Sequence, residues 1–399
     1  MKKMTVEDVN VRNQRVLMRV DFNVPVNNGT VTNDKRIRAA LDTIRYLADK
    51  GAKTILMSHL GRPKGQPNPA MSLKPCVQVL SGYLDKSVAF IDDCVGEGVH
   101  QAVERLLPGD VLLLENLRFY AQETDNDPGF AQALASLGDI YVNDAFGTAH
   151  RAHASTEGVT HYLQPAVAGY LMQKEIEYLN DALLSPATPF VAVLGGAKIS
   201  GKIDVIQRLL PRVDRLIIGG GMAYTFLHAQ GYSVGRSLLE VEKIELAKEL
   251  LATAAGKIVL PVDCMASTTF DLAQGTAGEL IAVRNDAIAP EAVGLDIGPE
   301  TIEAFQSALQ GAKTIVWNGP MGVFEIDAAA KGTFAIAQVL ARLTDAGAVS
   351  IIGGGDSAAA AEKAGVANRI SHISTGGGAS LEFLEGKTLP GLAALSDRS

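Results

Sequence analysis

Val349-Ser350-Ile351-Ile352-Gly353-Gly354-Gly355-Asp356-Ser357-Ala358 (349–358) joins an apolar, strand-like run to three glycines and an acid. A strand that ends in glycines and turns into a helix is the building unit of doubly wound α/β sheets. Glycine at such a turn lets bare backbone approach a ligand, and the helix it opens points unpaired N–H groups and a positive dipole end at an anion. Three more stretches of the C-terminal half repeat the arrangement: Phe190–Leu194 before Gly195-Gly196, Arg215–Ile218 before Gly219-Gly220-Gly221, and 370–375 before Gly376-Gly377-Gly378. Four such turns can line one phosphate-binding crevice.

The same alternation extends outward over the whole chain. In the second half, apolar runs at 257–260, 314–317 and 369–373 join those at 190–194, 215–218 and 349–352, with 280–283 a weaker candidate of the same kind. In the first half, runs at 16–20, 54–57, 88–91, 111–114 and 140–142 alternate with helical patterns near 35–49, 74–84, 98–106 and 129–137. This is βαβα spacing, and runs apolar throughout suit parallel strands covered by helices on both faces. The expectation is an α/β protein of two doubly wound, Rossmann-like parallel-sheet domains. Between them, 170–184 reads as an amphipathic helix stopped by Pro186 and Pro189, and serves as connector and hinge.

Composition narrows the function. At 399 residues the chain exceeds what one core usually fills. About two-thirds of its 40 glycines lie after residue 185, whereas five of its seven histidines lie before it, so the halves are expected to do different jobs. A net charge of −8 argues against a general nucleic-acid or membrane surface and requires any anion site to be local. Three scattered cysteines give neither a disulfide framework nor a CxxC motif, which fits a reducing cytoplasm. Neither a signal-peptide core nor a membrane-length apolar run is present.

In open parallel sheets ligands bind beyond the carboxyl ends of the strands. In the first half those ends carry Asp21-Phe22-Asn23-Val24-Pro25, Ser58-His59-Leu60-Gly61-Arg62-Pro63, Glu115-Asn116-Leu117-Arg118-Phe119, and a segment from Asn143 through His150-Arg151-Ala152-His153. Arg36 opens the first helix. Guanidinium grips phosphate or carboxylate through a planar fork, so convergent arginines imply a small ligand rich in anionic oxygens. Each arginine alone reads equally well as a solvated surface residue; the set on successive strand ends does not. His150 and His153 as metal ligands is a weaker reading, because Arg151 separates them and no HExxH or Cys pattern completes a site.

In the second half, Gly196-Ala197-Lys198-Ile199-Ser200-Gly201-Lys202-Ile203 approaches a P-loop, but Ile203 stands where a magnesium-binding hydroxyl belongs. A glycine turn with Lys198 and Lys202 on one face of the following helix remains suited to a polyphosphate. Gly353–Ala358 matches a dinucleotide fingerprint, yet no acid follows the next strand to grip a ribose. Asp356 would repel bare phosphate, a conflict that a magnesium nucleotide resolves. Glu325, in Trp317-Asn318-Gly319-Pro320-Met321-Gly322-Val323-Phe324-Glu325, reads either as an acceptor for ribose hydroxyls or as a surface acid in a turn.

Together the blocks RVDFNVP (19–25), SHLGRP (58–63), ENLRF (115–119), DAFGTAHRAHAS (144–155), LGGAK (194–198), GGGMAYTF (219–226), WNGPMGVFE (317–325), GGGDS (353–357) and STGGGASLEFLEGK (374–387) resemble the phosphoglycerate kinase family along essentially the whole chain. The resemblance implies two domains facing a cleft: 1–170 with a returning segment 388–399 for phosphoglycerate, a connecting helix at 171–186, and 187–387 for nucleotide. It implies that 3-phosphoglycerate or 1,3-bisphosphoglycerate binds through Asp21, Phe22, Asn23, Arg36, His59, Leu60, Gly61, Arg62, Arg118 and Arg151. It further implies Mg2+ with ATP or ADP at Gly196, Lys202, Gly220, Glu325, Gly353, Gly354, Gly355, Asp356 and Ser357, the metal on Asp356. Arg36, Lys198, Gly376, Gly377 and Gly378 would meet the phosphoryl group in transit. Ser357 replaces the family's usual threonine and keeps the hydroxyl. The family is usually monomeric, and the mechanism expected is attack of an already ionised carboxylate on the γ-phosphorus, which needs no general base. A nicotinamide-dependent dehydrogenase and a non-catalytic metabolite-binding regulator are the competing readings.

Overall fold

A computed structural model describes residues 2–398, apart from the side chains of residues 181 and 183. The chain divides into two compact units. One runs to Glu177 and takes the chain back from Thr388; the other is Tyr178–Lys387. The boundary falls inside the helix Tyr170–Leu184. Met1 and Ser399, which the sequence reading assigns to the first domain, lie outside the described residues.

The first unit is built on six strands: β1 (Arg15–Arg19), β2 (Lys53–Met57), β3 (Ala89–Phe90), β4 (Val111–Leu113), β5 (Ile140–Asn143) and β6 (Ala166–Ala168). Their order across the sheet is β3-β4-β2-β1-β5-β6, every neighbouring pair parallel. The second unit has β7 (Phe190–Leu194), β8 (Arg215–Ile218), β9 (Ile258–Val259), β10 (Thr314–Asn318), β11 (Val349–Gly353) and β12 (His372–Ile373), also all parallel, in the order β9-β8-β7-β10-β11-β12. Strand order therefore reverses between β7 and β10, the switch point where doubly wound sheets open a ligand crevice. Central strands are buried on both faces: all five residues of β7 and of β10 are buried. That explains why their sequences are apolar without alternation.

Each sheet seals its own core. In the first unit Val16, Met18, Leu56, Leu113 and Val142 pack with Ile37, Ile44 and Leu80 of the covering helices. In the second, Val191, Val193, Ile315 and Trp317 pack with Phe305, Ile336 and Leu340. Residues 388–398 are tied to the start of the chain: Met4 N–H donates to the Ser396 carbonyl at 2.9 Å, and Lys3 Nζ sits 2.8 Å from Asp397 Oδ1.

Four local expectations change. The helix expected over 35–49 is two helices, Lys35–Ala39 and Leu41–Asp49, because the chain turns at Ala40. Ala166–Ala168 is a strand too short to leave a periodic signal, held by parallel pairing to β5. Residues 281–284 are not a strand of the parallel sheet. They pair antiparallel with Asp263–Ser267, which also pairs with Val293–Ile297, forming a separate three-stranded sheet. Lys198 and Lys202 do not share a helix face: they flank the single turn Ile199–Gly201, and the α-helix begins only at Ile203.

Asp144, immediately after β5, accepts the N–H of Met172 at 3.0 Å and so ties the strand end to the start of the helix Tyr170–Leu184. Burial pushes its carboxyl up to about 7, against the lowering effect of N–H donors from that helix and the Thr43 hydroxyl. An unfolded Asp titrates near pH 4. Between about pH 4 and 7 the folded state thus holds a proton that the unfolded state has released, and stability falls as pH rises through that window. Asp144→Asn removes this dependence. Thermal unfolding from pH 4 to 8 should show the variant gaining on the wild type as pH rises; parallel curves would contradict the assignment.

Candidate active site

The strand ends of the first unit collect the basic residues. Asp21 and Asn23 follow β1, and Arg36 Nη1 reaches both, 3.1 Å from the Asp21 carboxylate and 3.1 Å from the Asn23 carbonyl. The Asn23 side chain accepts the Gly61 N–H at 2.9 Å, and Phe22, fully buried, gives its N–H to Ser58 Oγ at 2.8 Å. The loop after β2 is thereby clamped to the loop after β1. Asn116 completes the clamp: it accepts the Leu60 N–H at 3.2 Å and donates to the Leu60 and Met71 carbonyls at 2.7 and 2.8 Å. Arg118 Nη1 donates to the Gly61 carbonyl at 2.8 Å. Arg151 is exposed, its Nε 3.2 Å from His150 Nε2, and Arg62 is exposed beside Gly61.

The electrostatics of this cluster point to an anion. Burial first, then Arg19, Arg118, Arg36 and His153, hold His59 well below the usual imidazole range. His153 is brought down to about 4 by burial and by Arg19, Arg118, Arg151 and His150. Burial lowers even Arg118, to about 10, with Arg19 and Arg151 adding to the effect against Glu123 and Asp21. Arg118 Nε is buried without a hydrogen-bond partner. Cations that repel one another across a partly desolvated site, one with an unused donor, gain most from a ligand bearing several anionic oxygens.

In the second unit the glycine turns interlock at the switch point. Gly195 N–H donates to the Asn318 carbonyl and Gly196 N–H to the Pro320 carbonyl, each at 2.9 Å, joining the turn after β7 to the turn after β10. Gly220, at φ +66°, is packed so closely that a Cβ would lie 2.6 Å from Gly196 N and 2.8 Å from the Pro320 carbonyl oxygen. Only glycine fits there. Lys202 Nζ donates to Asn318 Oδ1, and the Asn318 amide nitrogen, buried without a partner, lies against Gly353 and Gly354. Burial lowers the Lys202 ammonium, while Glu385 and Asp356 act to raise it. Ser357 is buried, and its Oγ accepts the Gly319 N–H at 2.6 Å, so it fastens the turn after β10 to the helix Gly355–Lys363. Asp356 is exposed in the first turn of that helix. Gly377, at φ +49°, precedes the helix Gly378–Leu384, while Lys198 is exposed.

A cavity of about 410 Å³ opens on these turns, of a size that holds a small ligand. Gly196, Gly220, Glu325 and Asp356 form its polar side; Leu238, Leu272, Val293 and Val323 form its apolar side. Part of that apolar wall comes from the region of 263–297, where the sequence offered no motif. Also outside the sequence reading are Arg19, Glu123 and Ser155 beneath the basic cluster, and Asn116 and Asn318 as loop clamps. The signal for Arg19 was a charge inside the apolar run Val16-Leu17-Met18-Arg19-Val20.

Comparison with known proteins agrees with this geometry. The phosphoglycerate kinase family description matches residues 6–387. The phosphoglycerate kinases of Prosthecochloris aestuarii and Moorella thermoacetica are each 57% identical to this chain over 401 residues, covering all of both chains. Among solved structures, phosphoglycerate kinase from Coxiella burnetii superposes with a TM-score of 0.89 at 43% identity, covering 98% of each chain. That from Pyrococcus horikoshii gives 0.84 at 36%, again covering 98% of each. On these matches and the two six-stranded parallel sheets, the chain belongs to the phosphoglycerate kinase family, the glycolytic enzymes that move a phosphoryl group between 1,3-bisphosphoglycerate and ADP.

Proposed function

We propose that the first unit holds the acceptor and the second the nucleotide. The acceptor, 3-phosphoglycerate, binds through Asp21, Phe22, Asn23, Arg36, His59, Leu60, Gly61, Arg62, Arg118 and Arg151. The observation that carries this reading is the cation cluster around His59 and Arg118, whose members depress one another's protonation and leave Arg118 Nε unpaired. The nucleotide occupies the cavity at the switch point, with its phosphates toward Gly196, Lys202, Gly220, Gly353, Gly354, Gly355, Asp356 and Ser357 and its ribose toward Glu325.

Among the described residues no group of three or more His, Cys, Asp or Glu could hold a metal ion by itself. Magnesium suits such a site, because it is commonly held by one or two carboxylates together with substrate phosphates. Asp356 would hold it, and the exposed carboxylate in the first turn of a helix facing the glycine turns fits that role. When bound, the ion neutralises charge on the nucleotide phosphates.

The carboxylate of 3-phosphoglycerate is ionised at neutral pH, so its oxygen attacks the γ-phosphorus without a base while the bond from that phosphorus to the β–γ bridging oxygen breaks and ADP leaves. This chain's residues position the two substrates and neutralise the charge that spreads over the equatorial oxygens. Arg36 and Lys198 serve that neutralisation, with the backbone of Gly376, Gly377 and Gly378. Since acceptor and donor sit on different units, in-line transfer is proposed to follow closure about the helix Tyr170–Leu184. Small-angle scattering that shows no compaction with both substrates present would count against closure. The enzyme is proposed to act as a monomer in the cytoplasm, a setting that suits three free, buried cysteines. No helix among the described residues is long and apolar enough to cross a membrane.

Calorimetric titration tests the division of labour. Arg62→Ala should weaken 3-phosphoglycerate binding by about 10-fold or more, the value of a charge-assisted contact, and leave nucleotide affinity and kcat near wild type. Equal loss of both ligands, or unchanged 3-phosphoglycerate affinity, would overturn the assignment.

A further inference from the structure

Beneath the ligand-facing cations lies a buried layer that the reaction as described does not use. Arg19, the last residue of β1, is fully buried. Its Nη1 donates to the Val20 carbonyl, its Nε to Ser155 Oγ at 2.8 Å, and its Nη2 lies 3.2 Å from His59 Nδ1. Ser155 passes the chain on. Its hydroxyl donates to Glu123 Oε1 at 2.6 Å and its N–H to Glu123 Oε2 at 3.0 Å, while its carbonyl accepts the Tyr141 hydroxyl at 2.8 Å. Glu123, Ser155 and Tyr141 are all fully buried.

Donor and acceptor roles fix the direction of every bond. Glu123 as a carboxylate only accepts, so the single hydroxyl proton of Ser155 goes to it, and the Ser155 lone pairs face Arg19. A guanidinium only donates, so His59 Nδ1 must accept. The one proton of the neutral ring then sits on Nε2, leaving that N–H as the donor His59 can offer.

We propose that Glu123 and Ser155 are positioning residues for the acceptor site: they hold Arg19 so that His59 is locked as the neutral Nε2–H tautomer and presents that N–H to an anionic oxygen of phosphoglycerate. This rests on the assignment of His59 to the acceptor site. Two features of the surroundings support it. A proton on Nδ1 would point at a guanidinium, and burial together with Arg19, Arg118, Arg36 and His153 opposes a second ring proton. The relay also explains why a carboxylate and a hydroxyl, both costly to bury unpaired, sit fully buried beneath a basic site.

Nitrogen-15 NMR of histidine-labelled protein reads the tautomer directly. In the wild type, His59 should show a protonated Nε2 and a bare Nδ1, and a proton on Nδ1 overturns the proposal without any variant. Ser155→Ala should give a mixture of tautomers and raise KM for 3-phosphoglycerate about 5- to 10-fold, with kcat and KM for ATP within about twofold of wild type. Ser155→Thr, which keeps the hydroxyl, should restore both signals, and Glu123→Gln should resemble Ser155→Ala. An unchanged tautomer in Ser155→Ala, or mixed tautomers with an unchanged KM, overturns the relay. His59→Ala with an unchanged KM for 3-phosphoglycerate overturns instead the placement of His59 in the site, and the proposal with it; the wild-type tautomer distinguishes the two failures.

Discussion

Arg36→Ala is expected to lower kcat by about 10²- to 10³-fold and to leave KM for ATP close to wild type, the signature of a contact made chiefly in the transition state. The geometry explains why this arginine differs from its neighbours. Its Nη1 is shared by the Asp21 carboxylate and the Asn23 carbonyl, each at 3.1 Å, which sets its direction before any ligand arrives. It stands on the short helix Lys35–Ala39, cut off from the next helix by the turn at Ala40, and its charge reaches His59. A guanidinium fixed in this way costs little reorganisation when negative charge develops on the transferring group. Steady-state kinetics decide the matter: unchanged kcat in Arg36→Ala would remove Arg36 from the transfer step.

Lys202→Met should raise KM for ATP by about 10- to 100-fold and lower stability by about 1–3 kcal/mol. Two losses combine. On the proposed assignment the ammonium is a charge-assisted donor for polyphosphate, and in the structure it is the donor to Asn318 Oδ1. Asn318 is 2% exposed and its amide nitrogen already lacks a partner, so removing the lysine leaves both ends of a buried amide unsatisfied. A saturating nucleotide should recover part of the stability by binding only the folded state. Paired measurements of KM and thermal midpoint check both effects; an unchanged KM would exclude Lys202 from the phosphate site.

Much of this was readable in the sequence, for definite reasons. β7, β10 and β11 are buried on both faces, and continuous apolar runs record that burial directly. Glycines at the switch point admit backbone to backbone: a Cβ at Gly195 would collide with the Pro320 carbonyl oxygen, one at Gly319 with the Gly195 carbonyl oxygen, and one at Gly220, after β8, would lie 2.6 Å from Gly196 N. The arginines at strand ends stood out because the strands that carry them did. What stayed hidden depends on tertiary pairing. The run at 280–283 was legible as apolar, but its antiparallel pairing with Asp263–Ser267 was not, and Asp263–Ser267 is a strand only through its pairing with Ile281–Arg284 and Val293–Ile297. Arg19 and Glu123 are linked through Ser155, which is 136 residues from one and 32 from the other. Lys198 and Lys202 have helical spacing, but a single turn lies between them.

The dehydrogenase reading fails on the family match and on the missing ribose acid beyond β12, whereas turnover itself is what separates an enzyme from a regulator that only binds. A coupled assay that follows ADP formation from ATP, magnesium and 3-phosphoglycerate addresses the central claim, that this chain transfers a phosphoryl group from a magnesium nucleotide to the phosphoglycerate carboxylate. ADP release that requires all three components, and stops when any one is withheld, is the predicted result. No ADP release with both substrates demonstrably bound, or release at the same rate without 3-phosphoglycerate, would contradict it.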